Sequence, residues 1–202
     1  MRKVTILKTG LANLASVKAA FTRLGASVAL AEAKEALIDA ERLVVPGVGA
    51  FGAALEMLNR AELAAPLRAR IQAGQPTLGI CLGLQIFGVE SEESPGAKGL
   101  GVVSERVTGF GNTLISPQMG WNRVVPEEGS RLLQPGHAYF ANSFCFKSIP
   151  QGWSGARADY GGPLVAALER GAVLGCQFHP ELSGAYGEAL LERWMQMEVP
   201  TC

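Results

Sequence analysis

Residues 76–87, PTLGICLGLQIF, constrain the fold of this chain more than any other stretch. A proline opens the stretch, and the short apolar run that follows is typical of a buried strand. After Cys81 the apolar residues change to helical spacing. Gly79 and Gly83 flank the cysteine at two residues on either side, where larger side chains would collide around a sharp turn. The pattern predicts a nucleophile elbow between a strand and a helix, with Cys in place of Ser.

Such an elbow has two chemical consequences for Cys81. The sulfur is held at the end of the sheet, and it lies at a helix N-terminus, where the macrodipole and free N–H groups favour the thiolate. The alternative is a buried structural cysteine, which most free cysteines are. A reactive thiolate also needs a base elsewhere in the chain.

Charge and hydropathy exclude several classes of function. Eighteen basic and eighteen acidic side chains cancel, so nothing favours binding to nucleic acid or to an anionic membrane. No apolar run approaches the ~18 residues of a membrane-spanning helix. The N-terminal MRKVTILKTG is broken too early for a signal peptide and is typical of a first strand.

The four cysteines, at 81, 145, 176 and 202, show no paired short spacing. The sequence therefore predicts neither a zinc site nor a disulfide framework, and we expect no metal and no cofactor. The length of 202 residues, of which 48% are apolar, can bury one sizeable core. We predict a single domain over 1–202 in the reducing cytoplasm.

Strand and helix patterns alternate through the first 90 residues. This alternation predicts an α/β fold with an open, mostly parallel sheet flanked by helices. Ligand sites in such sheets lie beyond the carboxyl ends of the strands, where both Cys81 and the glycine loop PGVGAFG fall. The expected strands are 4–7, 27–30, 42–45 and 77–80, and the expected helices follow residue 10, cover 32–40 and lie within 50–73.

Beyond residue 90 the pattern changes to β-type segments separated by glycine and proline turns. These segments predict an additional antiparallel or mixed β region that packs on the first half. An amphipathic helix over 184–197 closes the chain. The expected segments are 101–107, 121–125, 138–146, 163–168 and 172–178.

The chain contains two histidines, and only one is placed to act as a base. His137 follows a Pro-Gly turn, and we expect it to be structural or exposed. His179 ends an apolar strand and has Glu181 two residues on, with a proline between them that restricts both backbones. A carboxylate bonded to one ring nitrogen sets the tautomer and leaves the other nitrogen to face a thiol. The alternative is that His179 only terminates the strand.

The glycine loop at 46–52 is a candidate for the stabilisation of an oxyanion. Acyl transfer needs preorganised N–H donors, each contributing on the order of 3 kcal/mol. Leu82, which follows the nucleophile, can supply one donor, and Val48 or Gly49 can supply the other because glycine lets a peptide plane turn. The alternative is an ordinary glycine-rich turn.

Three motifs together, GICLGLQ, QFHPE and PGVGAF, resemble the class I (triad) glutamine amidotransferases. PGVGAFG, SEESPG followed by GLG, PQMGWN and YFANSF resemble, more narrowly, the glutaminase subunits of imidazole glycerol phosphate synthases. The resemblance covers nearly the full chain. It implies that Cys81 attacks the glutamine side-chain amide, that His179 transfers protons and that Glu181 orients His179. It also implies that Gln85, Glu93 and Ser143 hold the substrate, with Gly49 and Leu82 at the reacting amide.

The same resemblance implies a partner. Ammonia would pass, within a heterodimer, to a cyclase subunit of the (βα)8-barrel type that serves histidine biosynthesis. The chain departs from the family at Lys8, Thr9 and Gly10, where Asp-Tyr-Gly is usual. It also has Asn142, Ser143 and Phe144 where His-Ser-Tyr is common, and Leu182 where a lysine is usual. These departures leave the triad intact and affect positions that face the partner or the pocket.

Three hypotheses therefore stand. The first is a glutaminase that supplies ammonia to this cyclase, with low activity in isolation. The second is a glutaminase of the same class that serves another synthase, such as the one that makes pyridoxal phosphate. The third is a catalytically silent subunit that only regulates its partner, in which case Cys81→Ser would leave glutamine-dependent synthesis intact.

Overall fold

The computed structural model describes residues 1–8, 13–111 and 114–198. Its strands are β1 (Lys3–Leu7), β2 (Ser27–Ala31), β3 (Leu43–Gly47), β4 (Thr77–Cys81), β5 (Thr108–Gly109), β6 (Gln118–Pro126), β7 (Gly136–Asn142), β8 (Phe144–Cys145), β9 (Ser154–Asp159), β10 (Pro163–Arg170) and β11 (Val173–Cys176). Its helices are α1 (Leu14–Arg23), α2 (Lys34–Ile38), α3 (Phe51–Arg60), α4 (Ala64–Gln72), α5 (Leu82–Gln85) and α6 (Gly184–Met195), with a 3-10 turn at Pro180–Leu182.

One nine-stranded sheet takes strands from both halves of the chain, in the order β2-β1-β3-β4-β11-β10-β9-β6-β7. The pairings from β2 through β11 are parallel, and those from β11 through β7 are antiparallel. A separate antiparallel pair joins β5 and β8. The sheet therefore has the mostly parallel part and the antiparallel extension that the sequence predicts.

Helices cover both faces of the sheet. On one face α1 and α6 bury Phe21 and Trp194, whose rings meet edge to face at 6.0 Å. On the other face α2, α3 and α4 contribute Leu37, Leu58 and Ile71 to a second core. Apolar side chains on both faces explain why β3 and β4 are buried at every position.

The register of the central strands brings three segments to one edge. β3 pairs with β4 so that Gly47 lies opposite Cys81. β11 pairs with β4 so that Cys176, the last residue of β11, lies opposite Ile80. The residue after Cys176 is Gln177, and the residue after Ile80 is Cys81. The glycine loop, the elbow and the chain that leads to His179 therefore leave the sheet side by side.

The second half differs from the sequence prediction in three places. Residues 101–106 form no strand, because their backbone follows turns beside the loop after α5. The segment expected over 138–146 is broken at Ser143, and its two parts join different sheets. β9 was not predicted, since SGARAD has no β-branched or aromatic residue; its place between β10 and β6 makes it a strand.

Near the N-terminus, α1 begins at Leu14, and the side chain of Asn13 accepts a hydrogen bond from the backbone N–H of Ser16 at 3.3 Å.

Thr9 and Gly10, two of the positions that depart from the family pattern, lie outside the described residues, as does Cys202. Within the part of the chain that the structure describes, no helix is both long enough and apolar enough to cross a membrane.

Candidate active site

Cys81 occupies a strained turn between β4 and α5. Its φ is +53° and its ψ is −108°, a conformation that a non-glycine residue rarely adopts. A Cβ on Gly79 would come within 2.6 Å of the Gly83 carbonyl oxygen, and one on Gly83 would come within 1.8 Å of the Val45 oxygen. The two glycines are therefore required by close backbone approach. The geometry is the nucleophile elbow that the sequence predicts.

The helix after the elbow is shorter than its sequence pattern indicates. α5 ends at Gln85, although the apolar spacing continues to Phe87. Ile86 and Phe87 are buried, and their carbonyl groups accept hydrogen bonds from the loop that follows. The Phe87 N–H donates to the Leu84 oxygen, three residues back, which tightens the end of the helix into a turn. A helix of four residues has a weak macrodipole, although its first-turn N–H groups remain at the elbow.

His179 lies just beyond β11 and is held by its own backbone. Its N–H donates to the Tyr139 oxygen at 2.9 Å, and its carbonyl accepts from the Ser183 hydroxyl at 2.6 Å. Its Nδ1 lies 2.9 Å from Oε1 of Glu181, and both side chains are less than 10% exposed. The carboxylate fixes the ring and leaves Nε2 for the sulfur.

The pKa of His179 reports its contact with the sulfur. Burial opposes the charged imidazolium, but hydrogen bonding to Cys81 and to Glu181, together with their negative charge, raises the pKa to about 10. The protonated ring is therefore favoured beside the sulfur. An imidazolium next to the sulfur can protonate a departing amine.

A pocket of about 160 Å³ opens beside the sulfur. Every residue that the sequence analysis assigned to substrate or oxyanion binding lines it, together with Cys81. The lining consists of Val48, Gly49, Cys81, Leu82, Gln85, Glu93, Pro117, Ala141, Asn142, Ser143 and Phe144. The two catalytic candidates that do not line this pocket, His179 and Glu181, lie behind Cys81.

Two of the predicted binding residues also have structural roles. Oε2 of Glu93 accepts from the Phe51 N–H at 2.8 Å, at the start of α3, so the carboxylate fastens the glycine loop to the loop after α5. Ser143 lies at the break between β7 and β8, where the chain turns away from the large sheet toward the pocket.

One side chain that contacts the sulfur was not predicted. Nε2 of Gln177 lies 3.6 Å from Sγ of Cys81, and Gln177 is fully buried. The only sequence signal was its place two residues before His179 in QFHPE. That motif suggested the base but gave no information on where the glutamine side chain lies.

A second pocket, of about 230 Å³, lies on the other side of the triad candidates. His179 and Glu181 line its floor, and Val48, Met119 and Leu182, all at least 45% exposed, lie at its rim. His137 is exposed on β7, as expected. Among the described residues, no group of three or more His, Cys, Asp or Glu side chains is arranged to hold a metal ion.

Comparison with known proteins gives a consistent result. A family model for glutamine amidotransferase class-I matches residues 6–196. The imidazole glycerol phosphate synthase subunits HisH of Salmonella typhimurium (strain LT2) and Escherichia coli (strain K12) are each 41% identical over 201 residues, covering 96% of this chain and 99% of theirs.

Solved structures agree with this assignment. A crystal structure of a glutamine amidotransferase matches with a TM-score of 0.75 at 25% identity, covering 95% of this chain and 96% of its own. A glutamine amidotransferase from Thermotoga maritima shares the fold, with a TM-score of 0.66 at 15% identity over 96% of this chain and 98% of its own. The chain therefore belongs to the class-I glutamine amidotransferases and, within them, to the family of imidazole glycerol phosphate synthase subunits HisH.

Proposed function

We propose that this protein is the glutaminase subunit of an imidazole glycerol phosphate synthase. It hydrolyses glutamine to glutamate and ammonia and delivers the ammonia to a cyclase subunit for histidine biosynthesis. The observation that carries the proposal is the meeting of Cys81 with His179 and Glu181 beside a pocket that all six predicted binding residues line. The 41% identity to HisH subunits over nearly the whole chain favours this synthase over others.

In the first half of the reaction, the Cys81 thiolate attacks the side-chain carbonyl carbon of glutamine. A carbon–sulfur bond forms, and the carbonyl electron pair moves to oxygen. His179, protonated and oriented by Glu181, then gives its proton to the amide nitrogen as the carbon–nitrogen bond breaks. The products are ammonia and a γ-glutamyl thioester.

In the second half, His179 is neutral and takes a proton from water. The resulting hydroxide adds to the thioester carbon, and the carbon–sulfur bond then breaks to release the Cys81 thiolate and a γ-carboxylic acid, which loses its proton to solvent as glutamate. The proton remains on His179, so the imidazolium and the thiolate that began the cycle are both restored.

The oxyanion of both tetrahedral intermediates lies between the elbow and the glycine loop. Leu82 can donate its backbone N–H from the residue after the nucleophile, and Val48 or Gly49 can donate the second. Gly49 has a φ of +99°, so this peptide adopts a conformation that favours glycine. We expect low activity in the isolated subunit, because the partner can shift this loop between two orientations.

An exposed apolar surface beside the second pocket supports the cyclase partner. Met119 is 68% exposed and Trp121 60%, both on β6, and Leu182 is 45% exposed. Met119 and Leu182 line the pocket that has His179 and Glu181 at its floor. A (βα)8-barrel cyclase seated here would close that pocket and receive ammonia before it becomes ammonium in water, forming a heterodimer.

We further propose that residues 1–202 form one amidotransferase domain, supported by the shared nine-stranded sheet. A cytoplasmic location is supported by the free thiols of Cys81, Cys145 and Cys176. Neither metal nor cofactor has a step in the chemistry derived above.

The test is glutamate release from glutamine by the purified protein alone, with the cyclase, and with the cyclase and its nucleotide substrate. We expect a low rate alone and a large increase with the loaded cyclase. The matched control is the synthase subunit of a different glutamine-dependent enzyme, such as the one that makes pyridoxal phosphate, which should give no increase. Absence of glutamate release in every condition, from folded protein, would contradict the proposal.

A further inference from the structure

Gln177 makes the one side-chain amide contact to the nucleophile among the described residues. Its backbone N–H donates to the Ala166 oxygen at 2.8 Å, which fixes the chain beside β10. Its side chain turns toward the elbow, where Nε2 donates to Sγ of Cys81 at 3.6 Å. An amide has no charge to lose, so this donor is present at every pH.

The orientation of the Gln177 amide is set by a second glutamine. Nε2 of Gln85 donates to Oε1 of Gln177 at 3.0 Å and to the Phe144 oxygen at 2.8 Å. Because Oε1 of Gln177 accepts this bond, its NH2 group must face the sulfur. Gln85 itself lines the pocket beside Cys81. A chain of two amides therefore leads from the pocket wall to the nucleophile.

Resting on the proposed function, we propose that Gln177 is a catalytic hydrogen-bond donor that stabilises the Cys81 thiolate, held in its orientation by Gln85. The four-residue α5 carries little macrodipole, so a side-chain donor adds to what its first-turn N–H groups supply. The Ala141 carbonyl, 3.9 Å from the sulfur, accepts from the thiol and so favours the opposite state. Gln177 counteracts that preference.

Several titratable groups surround the sulfur and must be considered in any pH measurement. β3 contributes none. The others are His179 and Glu181 beyond β11, Cys176 on β11, Glu93 across the pocket and Tyr139 on β7 beside His179. None of them is removed by a substitution at Gln177, so a change in the pH profile of Cys81 would report the lost donor.

The first experiment measures the alkylation rate of Cys81 by iodoacetamide against pH, read on the Cys81 peptide by mass spectrometry. Gln177→Met keeps a long, unbranched side chain but has no N–H donor. A hydrogen bond to a charged group stabilises it by an amount that corresponds to about one pKa unit or more. We therefore expect the midpoint of the alkylation profile to move up by about one pH unit or more when the donor is removed. An unchanged midpoint in the folded variant overturns the proposal.

Cys176→Ala is the matched control, because Cys176 is also fully buried and, as the last residue of β11, immediately precedes Gln177. We expect its midpoint to equal that of the wild type. An equal shift in the control would mean that packing, rather than the donor, sets the profile, and would also overturn the proposal. With the loaded cyclase, Gln177→Met should lower kcat about tenfold with a smaller change in KM.

A measurement on the wild-type protein is independent of whether the variant folds. The side-chain amide resonances of Gln177, in 15N-labelled protein, should shift with pH at the same midpoint as Cys81 alkylation. Resonances that do not titrate would count against the proposal. Gln85→Met, which leaves Gln177 in place without its orienting bond, should give a smaller upward shift of the alkylation midpoint; no shift would remove the role of Gln85.

Alkylation requires neither glutamine nor a partner, so its result separates the two proposals. If Gln177→Met shifts the alkylation midpoint but the wild-type protein releases no glutamate in any condition, the glutaminase function is rejected and the donor role of Gln177 is kept. If glutamate release is normal but Gln177→Met leaves the alkylation midpoint unchanged, the donor role is rejected and the glutaminase function is kept.

Discussion

Two regions border the same pocket but are built in different ways. β4 and β11 are parallel and buried at every position, with helices on both faces. The β6–β7 hairpin alternates buried and exposed residues, and it presents Met119 and Trp121 to solvent. A strand packed on both faces can hold a nucleophile in a strained conformation, whereas a hairpin with one open face can contact a second protein. Under the proposed function, this difference assigns catalysis to the parallel strands and partner binding to the hairpin.

The largest expected effect tests the chemical side of this comparison. Cys81→Ser removes the thiolate, and we expect the glutamate release stimulated by the cyclase to fall at least about 10³-fold. Cys176→Ala, on the neighbouring strand and also buried, should keep most of the activity. The measurement is steady-state glutamate formation with the loaded cyclase. Glutamine-dependent synthesis that survives Cys81→Ser would show that the end of β4 does not carry the nucleophile.

The elbow itself can be tested through stability. A Cβ at position 83 would lie 1.8 Å from the Val45 oxygen, so Gly83→Ala must displace backbone. We expect a loss of about 3 kcal/mol or more in the free energy of unfolding, measured by urea denaturation. Gly74→Ala is the control, because nothing lies within 4 Å and only its φ of +71° is strained; it should cost about 1 kcal/mol. Equal losses would refute the close packing of the elbow.

The proposed role of the β6–β7 hairpin is tested by measuring how tightly the protein binds the cyclase. Trp121 is exposed, and its ring meets that of Tyr139 edge to face at 6.3 Å. Trp121→Ala should weaken binding of the cyclase about 30-fold, the ~2 kcal/mol of an interface anchor, as measured by titration calorimetry. The basal glutamate release of the isolated subunit should stay within about twofold, since the pocket beside the sulfur does not include Trp121. Unchanged cyclase binding would exclude this face as the interface.

The smallest expected effect concerns the charge on His179. Its folded pKa is raised from the usual 6.5 to about 10, so the imidazolium is present below that midpoint and is lost as the pH rises through it. Glu181→Gln removes one of the groups that raise the pKa, and the midpoint should fall by about one unit or more. Ring resonances in NMR measure it, and the exposed His137 gives an internal signal that should not change. A constant His179 midpoint would mean that Glu181 does not stabilise the charge.

The first half of the fold was more predictable than the second. Buried parallel strands are continuous apolar runs between glycine-marked helices, so their pattern is visible locally. β9 was missed, and the strand prediction over 101–106 was wrong, because strand formation there depends on which neighbours are available rather than on the side chains. The break at Ser143, which turns that residue toward the pocket, follows from pairing in two different sheets.

The sequence by itself determined the identity and order of the groups proposed to react. The glycines around Cys81 permit a sharp turn, and the proline between His179 and Glu181 restricts the backbone. Both effects are local, so the spacing in the sequence was enough to predict them. Tertiary structure alone decided that Gln177 faces the sulfur and that α5 stops after one turn. The first depends on the register between β4 and β11, and Gln177 and Cys81 are 96 positions apart along the chain. The second depends on the loop that follows, where the Leu100 N–H donates to the Ile86 oxygen.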